Sequence, residues 1–360
     1  MKKQHHHPPD ETTTGKEPSS PVNWLQLALL LVTIPAGKRG RRAVNRRMAV
    51  CCLVLLVTGS PGLSWAGKAH DLVDNALNRA REGGHFEQIA PEEQKQAQAL
   101  FYRMLTKRDK TAVAKEWQQL NYSVKRLDLP LTGNSSTDGN PVPESAKGIT
   151  LLIEKSTHRR GRGFYLFVDN PPTDHLLVVP HGLYDYHTSE IGIKLMVEGG
   201  FAAGCFNTVH RYGNKRQKQE FFQGTWDMAD RFDTYFAAFA RAGALAFPRG
   251  KQVQLHGFSR KHRNSSRGRE SDMIISAGIR SVPGDVIRLR ECLRGCMPGT
   301  INAYPGDVQE LGGTQNSIGA ILRDMGHTGF LHMEMNLPFR NRLRQSPDAR
   351  QDLFHCIEEL

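Results

Sequence analysis

The sequence predicts an α/β fold, a mostly parallel mixed sheet flanked by helices, with an N-terminal helical extension in front of it. Three observations predict this class. From residue 149 onward short apolar runs alternate with segments of helical periodicity, the pattern of strands joined by crossover helices. The run Leu176 to Val179 stops at Pro180, which has no N–H to give to a ladder, so His181 stands at a strand end. The composition, 360 residues with 39% hydrophobic and 23% charged, suits a chain with a large core and excludes a fibrous or wholly disordered one.

The elements are justified in chain order. Met1 to Val22 is polar, with three His and several Pro and Ser, and reads as disordered. The apolar run Trp24 to Ile34 is too short to span a bilayer comfortably. A basic stretch, GKRGRRAVNRR, then leads through Met48 into AVCCLVLLVTG and ends on the small-x-small triplet Ser64-Trp65-Ala66. That order of basic, apolar and small residues predicts a secretory signal peptide over residues 48–66. A single membrane anchor is the alternative reading, but the apolar run is short for a span, so no stable span is expected once the signal is cleaved. Residues 1–47 are then an over-extended start, with Met48 the true initiator, or an unusually long n-region. Mature protein begins near Gly67, periplasmic or secreted.

Residues 67–129 are expected to form the helical extension. Leu72, Val73, Ala76, Leu77 and Ala80 recur at helical spacing, and Pro91-Glu92-Glu93 opens a second helix carrying Ala97, Leu100, Phe101 and Leu105. Pro130 to Gly148, rich in Gly, Asn, Ser, Pro and Thr, is expected as a loop. The main domain, 149–360, follows. Ile149–Glu154 and Phe164–Val168 flank HRRGRG as a hairpin. Then come the strand Leu176–Val179, a helix Ser189–Glu198, a strand Ala202–Asn207, a helix Asp227–Ala242 and a strand Gln252–Leu255. A strand Met273–Ala277, helices Gly284–Leu293 and Ser317–Met325, and a strand Gly329–Met335 complete the pattern. Ile301 to Asn316 reads as a loop, whose Thr314 and Asn316 would donate hydrogen bonds to a substrate or cap the helix after them.

Three strand ends carry the chemistry. After Pro180 come His181, Asp185, His187, Thr188, Ser189 and Glu190; a second strand ends in His256-Gly257; a third, GFLHMEMNLPFR, places Glu334 near its end. In a parallel sheet these ends emerge on one edge, where two imidazoles and two or three carboxylates converge. Two His and one carboxylate suit zinc with one position left for water, and a separate Glu suits a general base. His332 alternates with Glu334 and so faces the same side of its strand, beside the site or at its edge.

The PHG turn followed by TSE and a helix, the later strand-HG, and the late strand with Glu ahead of Arg resemble the N-formylglutamate amidohydrolase and poly-γ-glutamate hydrolase group, relatives of the zinc carboxypeptidases. The resemblance covers roughly residues 149–353, and the order of the motifs carries it. It implies a zinc carboxypeptidase-like phosphorylase/hydrolase fold, zinc on His181, Glu190 and His256, and Glu334 as the base that activates water. It also implies Arg211 or Arg340 as the grip on a substrate carboxylate. The spacing after His181 leaves Asp185 as an alternative ligand, or as the group that orients His181 or His187, and Glu190 also suits an ordinary first helical turn.

The expected function is hydrolysis of an amide in a small-molecule or peptide substrate with a carboxylate, such as an N-acyl amino acid, a γ-glutamyl or a cell-wall peptide bond. The alternative is a non-catalytic envelope protein of the same fold that binds an anionic peptide or glycan. A net charge of +12 raises nucleic acid as a partner. The basic runs Lys38–Arg47 and Arg260–Arg269 lack aromatic interleaving and every reader motif, so no nucleic acid is expected. Ser259 is outside any GxSxG, which argues against a serine hydrolase. Of the six cysteines, Cys205, Cys292, Cys296 and Cys356 lie beyond the signal and allow one or two disulfides with no pairing readable from sequence.

Overall fold

A computed structural model describes residues 61–82, 84–107, 110–130, 146–213 and 226–360, all within one unit, Gly59–Leu360. The expected extension 1–47 and most of the expected signal peptide lie outside the described residues. The first helix among the described residues, α1 (Pro61–Arg81), contains Ser64-Trp65-Ala66. No helix among the described residues is long and apolar enough to cross a membrane.

After α1 come α2 (Pro91–Thr106), the short α3 (Ala114–Gln119) and strand β1 (Tyr122–Pro130). Residues 67–129 are therefore not purely helical. β1 pairs antiparallel with β2 (Ala146–Glu154), so the expected loop 130–148 also gives up Ala146–Gly148 to a strand. β1 is the outer strand of the sheet, and its exposed Lys125, Arg126 and Asp128 break the apolar alternation that would have identified it, as charges on an edge commonly do. The hairpin partner β3 (Phe164–Val168) follows, then β4 (Leu176–Val179), α4 (Thr188–Glu198) and β5 (Ala203–Phe206). Next are α5 (Tyr235–Ala246), β6 (Gln252–Phe258), the single-turn α6 (Ser266–Glu270), β7 (Met273–Ser276) and α7 (Gly284–Cys296). The chain ends with β8 (Ile301–Ala303), α8 (Ser317–Asp324), β9 (Phe330–Asn336), α9 (Leu337–Gln345) and α10 (Pro347–Glu358).

The nine strands among the described residues form one sheet in the order β1-β2-β3-β5-β4-β6-β9-β7-β8. Its centre, β5-β4-β6-β9, is parallel; the pairs on either side of it, β3 with β5 and β7 with β9, are antiparallel. The sheet is thus mixed, with a parallel core narrower than the expected mostly parallel arrangement. Helices cover both faces. Val73 and Leu77 of α1, Ile193 of α4, Leu289 of α7, Phe339 of α9 and Leu353 of α10 share one buried cluster with Leu177, Val179, Val253 and Met333. Phe101 of α2, Trp117 of α3, Phe239 of α5 and Leu322 of α8 share the other with Leu176, Val178 and Phe330. Adjacent β4 residues enter opposite clusters, the period-two alternation of a strand covered on both faces.

In β6 and β9 this alternation turns one face polar. Val253, Leu255, Leu331, Met333 and Met335 fill the first cluster, while Gln254, His256, His332 and Glu334 occupy the other side. A disulfide, Cys292–Cys356, joins α7 to α10, and Cys205 and Cys296 are free.

Candidate metal centre

β4, β6 and β9 run parallel, so their C-terminal ends meet at one edge of the sheet. β6 and β9 set His256 directly across from Glu334, and Gln254 across from His332. His181 begins the turn after β4. Its carbonyl accepts from the N–H groups of Tyr184 and Asp185, at 2.7 and 2.8 Å, and this tight turn folds Asp185 back beneath its own imidazole. The Asp185 carbonyl accepts from Thr188 Oγ1 at 2.8 Å, and its Oδ2 accepts from the Gly257 N–H at 2.9 Å. The loop is thereby tied to the start of α4 and to the end of β6.

Three donor atoms face one another in this buried corner. His181 Nδ1 lies 3.0 Å from His256 Nδ1, and Asp185 Oδ2 lies 3.4 Å from the first and 3.6 Å from the second. The opposite nitrogen of each ring has an acceptor: His181 Nε2 meets Asp227 Oδ1 at 2.6 Å, and His256 Nε2 meets Gln254 Oε1 at 2.9 Å. Each acceptor draws the ring proton to Nε2 and turns the Nδ1 electron pair into the corner. Two such pairs and a carboxylate oxygen at this separation could hold a shared cation. Three ligands of a tetrahedral metal with bonds of about 2.0–2.1 Å stand about 3.3–3.4 Å apart, so the residues fit a zinc-like ion.

The carboxylates around His181 favour its protonated form, and metal binding would displace that proton. Burial pushes the His181 imidazole down, but hydrogen bonds to Asp185 and Asp227 outweigh it and hold it up at about 9. Burial would raise Asp185 and Asp227; the imidazoles, and for Asp227 also Arg211, pull both below the usual carboxylate range. Burial lowers His256 and, helped by His256 and His181, takes His332 well below its ordinary value. Glu334 is pushed up to about 8, first by burial and then by the Asp185 charge. Its Oε2 and His332 Nδ1 are buried without a hydrogen-bond partner among the described residues, and the two residues form with His256 a second group of potential ligands.

The residues singled out by sequence are placed as follows. His181, His256 and Asp185 converge. Glu190 does not join them, which corrects the expected ligand set: on the first turn of α4 its oxygens are engaged by Lys194 Nζ and Arg344 Nε, each at 2.9 Å. Arg211 reaches the corner, with Nη1 3.3 Å from His181 Nδ1 and Nη2 paired with Asp227, while the rings of Tyr184 and Tyr212 lie 5.5 and 5.3 Å from its guanidinium. Arg340 was expected at the substrate, yet two of its donors are taken by backbone carbonyls, Nη1 by Tyr186 and Nε by Asn336, so it fastens the ligand loop to α9. Asn316 was expected as a substrate donor or as the cap of the helix after it. It caps α8, its Oδ1 accepting from the Ile318 and Gly319 N–H groups, and its Nδ2 donates to Gln254 Oε1 at 2.6 Å behind His256.

Sequence reasoning missed Asp227 and Gln254. Asp227 was read as the start of a helix, but that helix begins only at Tyr235, after the Thr234 cap. Asp227 stands in the preceding turn, with Oδ1 also accepting from the Ala229 N–H at 2.9 Å. Gln254 did carry a signal, since it lies two residues before His256 and so shares its face of β6. No family model and no curated protein matches the chain.

Proposed function

We propose that the chain is a secreted or periplasmic zinc-dependent amidohydrolase, allied to the N-formylglutamate amidohydrolases and poly-γ-glutamate hydrolases, acting on an amide in a carboxylate-bearing substrate. One observation carries this reading: His181 Nδ1, His256 Nδ1 and Asp185 Oδ2 converge at 3.0 to 3.6 Å, with each ring held from behind by its own acceptor. Those three residues would hold the metal. When bound, zinc supplies a Lewis acid that polarises the scissile carbonyl and lowers the pKa of the attacking water.

The rest of the chemistry belongs to the chain. Glu334, across from His256 and with no hydrogen-bond partner for Oε2 among the described residues, in its ionised form takes the proton of the attacking water and returns it to the leaving nitrogen. Arg211 donates to the developing oxyanion. Asp227 holds His181 and Arg211 together, so ligand and oxyanion donor keep a fixed relation. The substrate carboxylate pairs with this basic surround, in which Arg211 and Arg263 act on Glu334 through their charge.

The test is metal content by mass spectrometry of the full chain, wild type beside His256→Ala, Asp185→Asn and Glu190→Gln. Histidines 5–7 are common to all four, so the readout is the difference between them. About one zinc per chain should be lost from the first two variants and kept in Glu190→Gln. Glu334→Gln should keep the metal and lose about 10²–10⁴-fold in hydrolysis of acyl-amino-acid or γ-glutamyl amides. Equal metal in wild type, His256→Ala and Asp185→Asn would sink the proposal. Metal without hydrolysis of any such amide would favour the non-catalytic envelope protein that binds an anionic peptide or glycan.

A further inference from the structure

The family resemblance begins near residue 149, yet the helical layer before it reaches the metal centre. Arg81, the last residue of α1, donates from Nη2 to Ser189 Oγ at 2.5 Å, across 108 positions of sequence. Ser189 is buried in the first turn of α4, at the far end of the loop that starts at His181 and carries Asp185. The near end of that loop lies against the same contact. A Cβ placed on Gly182 would come within 1.8 Å of Ser189 Oγ and 2.8 Å of Arg81 Nη2.

The segment after α1 continues along the other wall of the site. A Cβ on Gly84 would meet the Thr208 carbonyl at 3.1 Å, and one on Gly161 would meet Val209 Cγ1 at 2.5 Å and the His85 carbonyl at 2.8 Å. Thr208 and Val209 lead directly to Arg211. Asn207 just before them donates to the Pro180 carbonyl at 2.6 Å and accepts from the Val209 N–H at 3.0 Å. Arg81 at the end of α1 therefore touches the ligand loop, and Gly84 in the segment after it lies against Thr208 on the stretch that delivers Arg211.

We propose that Arg81 is a positioning residue of the metal centre, pinning the loop between His181 and Ser189 so that His181 Nδ1 and Asp185 Oδ2 keep the separation a metal requires. The inference rests on the metal-site reading above. Arginine suits the task because its long planar fork reaches from another helix and donates in a fixed direction, whereas a lysine ammonium is a compact point donor. The N-terminal layer is then part of the site and not an appendage to it.

The experiment is Co²⁺ titration of the full-length chain, followed by visible absorption, in wild type, Arg81→Ala, Arg81→Lys and Ser189→Ala. His256→Ala serves as the blank, and Leu77→Ala disturbs the buried face of α1 while keeping Arg81 and Ser189. Arg81→Ala and Ser189→Ala should each weaken Co²⁺ binding by about tenfold or more, with Arg81→Lys recovering part of the loss. Leu77→Ala should lower the melting temperature and leave the affinity unchanged. Wild-type affinity in both Arg81→Ala and Ser189→Ala would overturn the inference, as would an equal loss in Leu77→Ala. If Arg81→Ala does not fold, Ser189→Ala decides alone. A wild-type chain indistinguishable from the His256→Ala blank would instead sink the metal-site reading itself.

Discussion

His181 and His256 offer the same nitrogen, Nδ1, because each has its Nε2 turned toward a fixed acceptor, Asp227 and Gln254. An imidazole without such an acceptor is free to bind through either nitrogen and pays rotamer entropy when it does; a held ring is prepared in advance. Asp227 is the stronger of the two holds, since it is charged, buried and paired with Arg211 as well. Asp227→Asn should therefore weaken metal affinity about 10–100-fold while leaving the far-ultraviolet circular dichroism unchanged. Competition with a chromophoric chelator measures the loss, and an unchanged affinity would show that the orientation of His181 does not depend on this contact.

At the scale of elements, α8 links the site to the helical cover of the sheet. Its cap residue Asn316 uses Oδ1 for the helix N-terminus and Nδ2 for Gln254, so one side chain both starts a helix and steadies the acceptor behind His256. Asn316→Ala removes both. The lost cap alone should cost about 0.5–2 kcal/mol, and the buried Gln254 oxygen loses one of its two donors. Urea unfolding should show the destabilisation, and metal affinity should fall with it. A destabilised variant with unchanged affinity would mean that Gln254 keeps its orientation through the His256 contact alone.

At the scale of the whole molecule, α1, α4 and α10 are joined through one half-buried carboxylate. Glu198 at the end of α4 meets His70 Nε2 of α1 at 3.1 Å and Arg350 Nε and Nη2 of α10 at 2.5 and 2.7 Å. Burial would raise its carboxyl, but the bonds to His70 and Arg350 outweigh burial and hold it at about 2. Its unfolded value is about 4.3, so the folded state gains stability that is fully present above that pH and is lost as pH falls through about 2. Glu198→Gln should accordingly melt below wild type at neutral pH, and the gap between the two should close between about pH 4 and pH 2. A gap that stays constant over that range would show that the Glu198 charge contributes no stability.

Much of this protein was legible in its residues, because the signals involved are local. Strand ends at His181 and His256 follow from an apolar run and the Pro or Gly beside it, and Glu334 follows from alternation along a single strand. These determine an α/β sheet with titratable groups along one edge. Other features depended on partners far away in the chain. The choice of Asp185 over Glu190 was made by the turn at His181 and by Lys194 and Arg344, which engage Glu190 on the surface of α4. Asp227 lies 46 positions from His181, and Ser189 lies 108 from Arg81, distances over which no periodicity carries information. The helices α9 and α10 are rich in charge, and β1 is a charged edge strand, so none shows the apolar pattern from which elements are read. The sequence by itself determined which strands end in potential metal ligands, since periodicity and breakers act between near neighbours. Only the tertiary structure decided which carboxylate faces the imidazoles and what holds them there, because burial and hydrogen bonding are set by the packing of the whole chain.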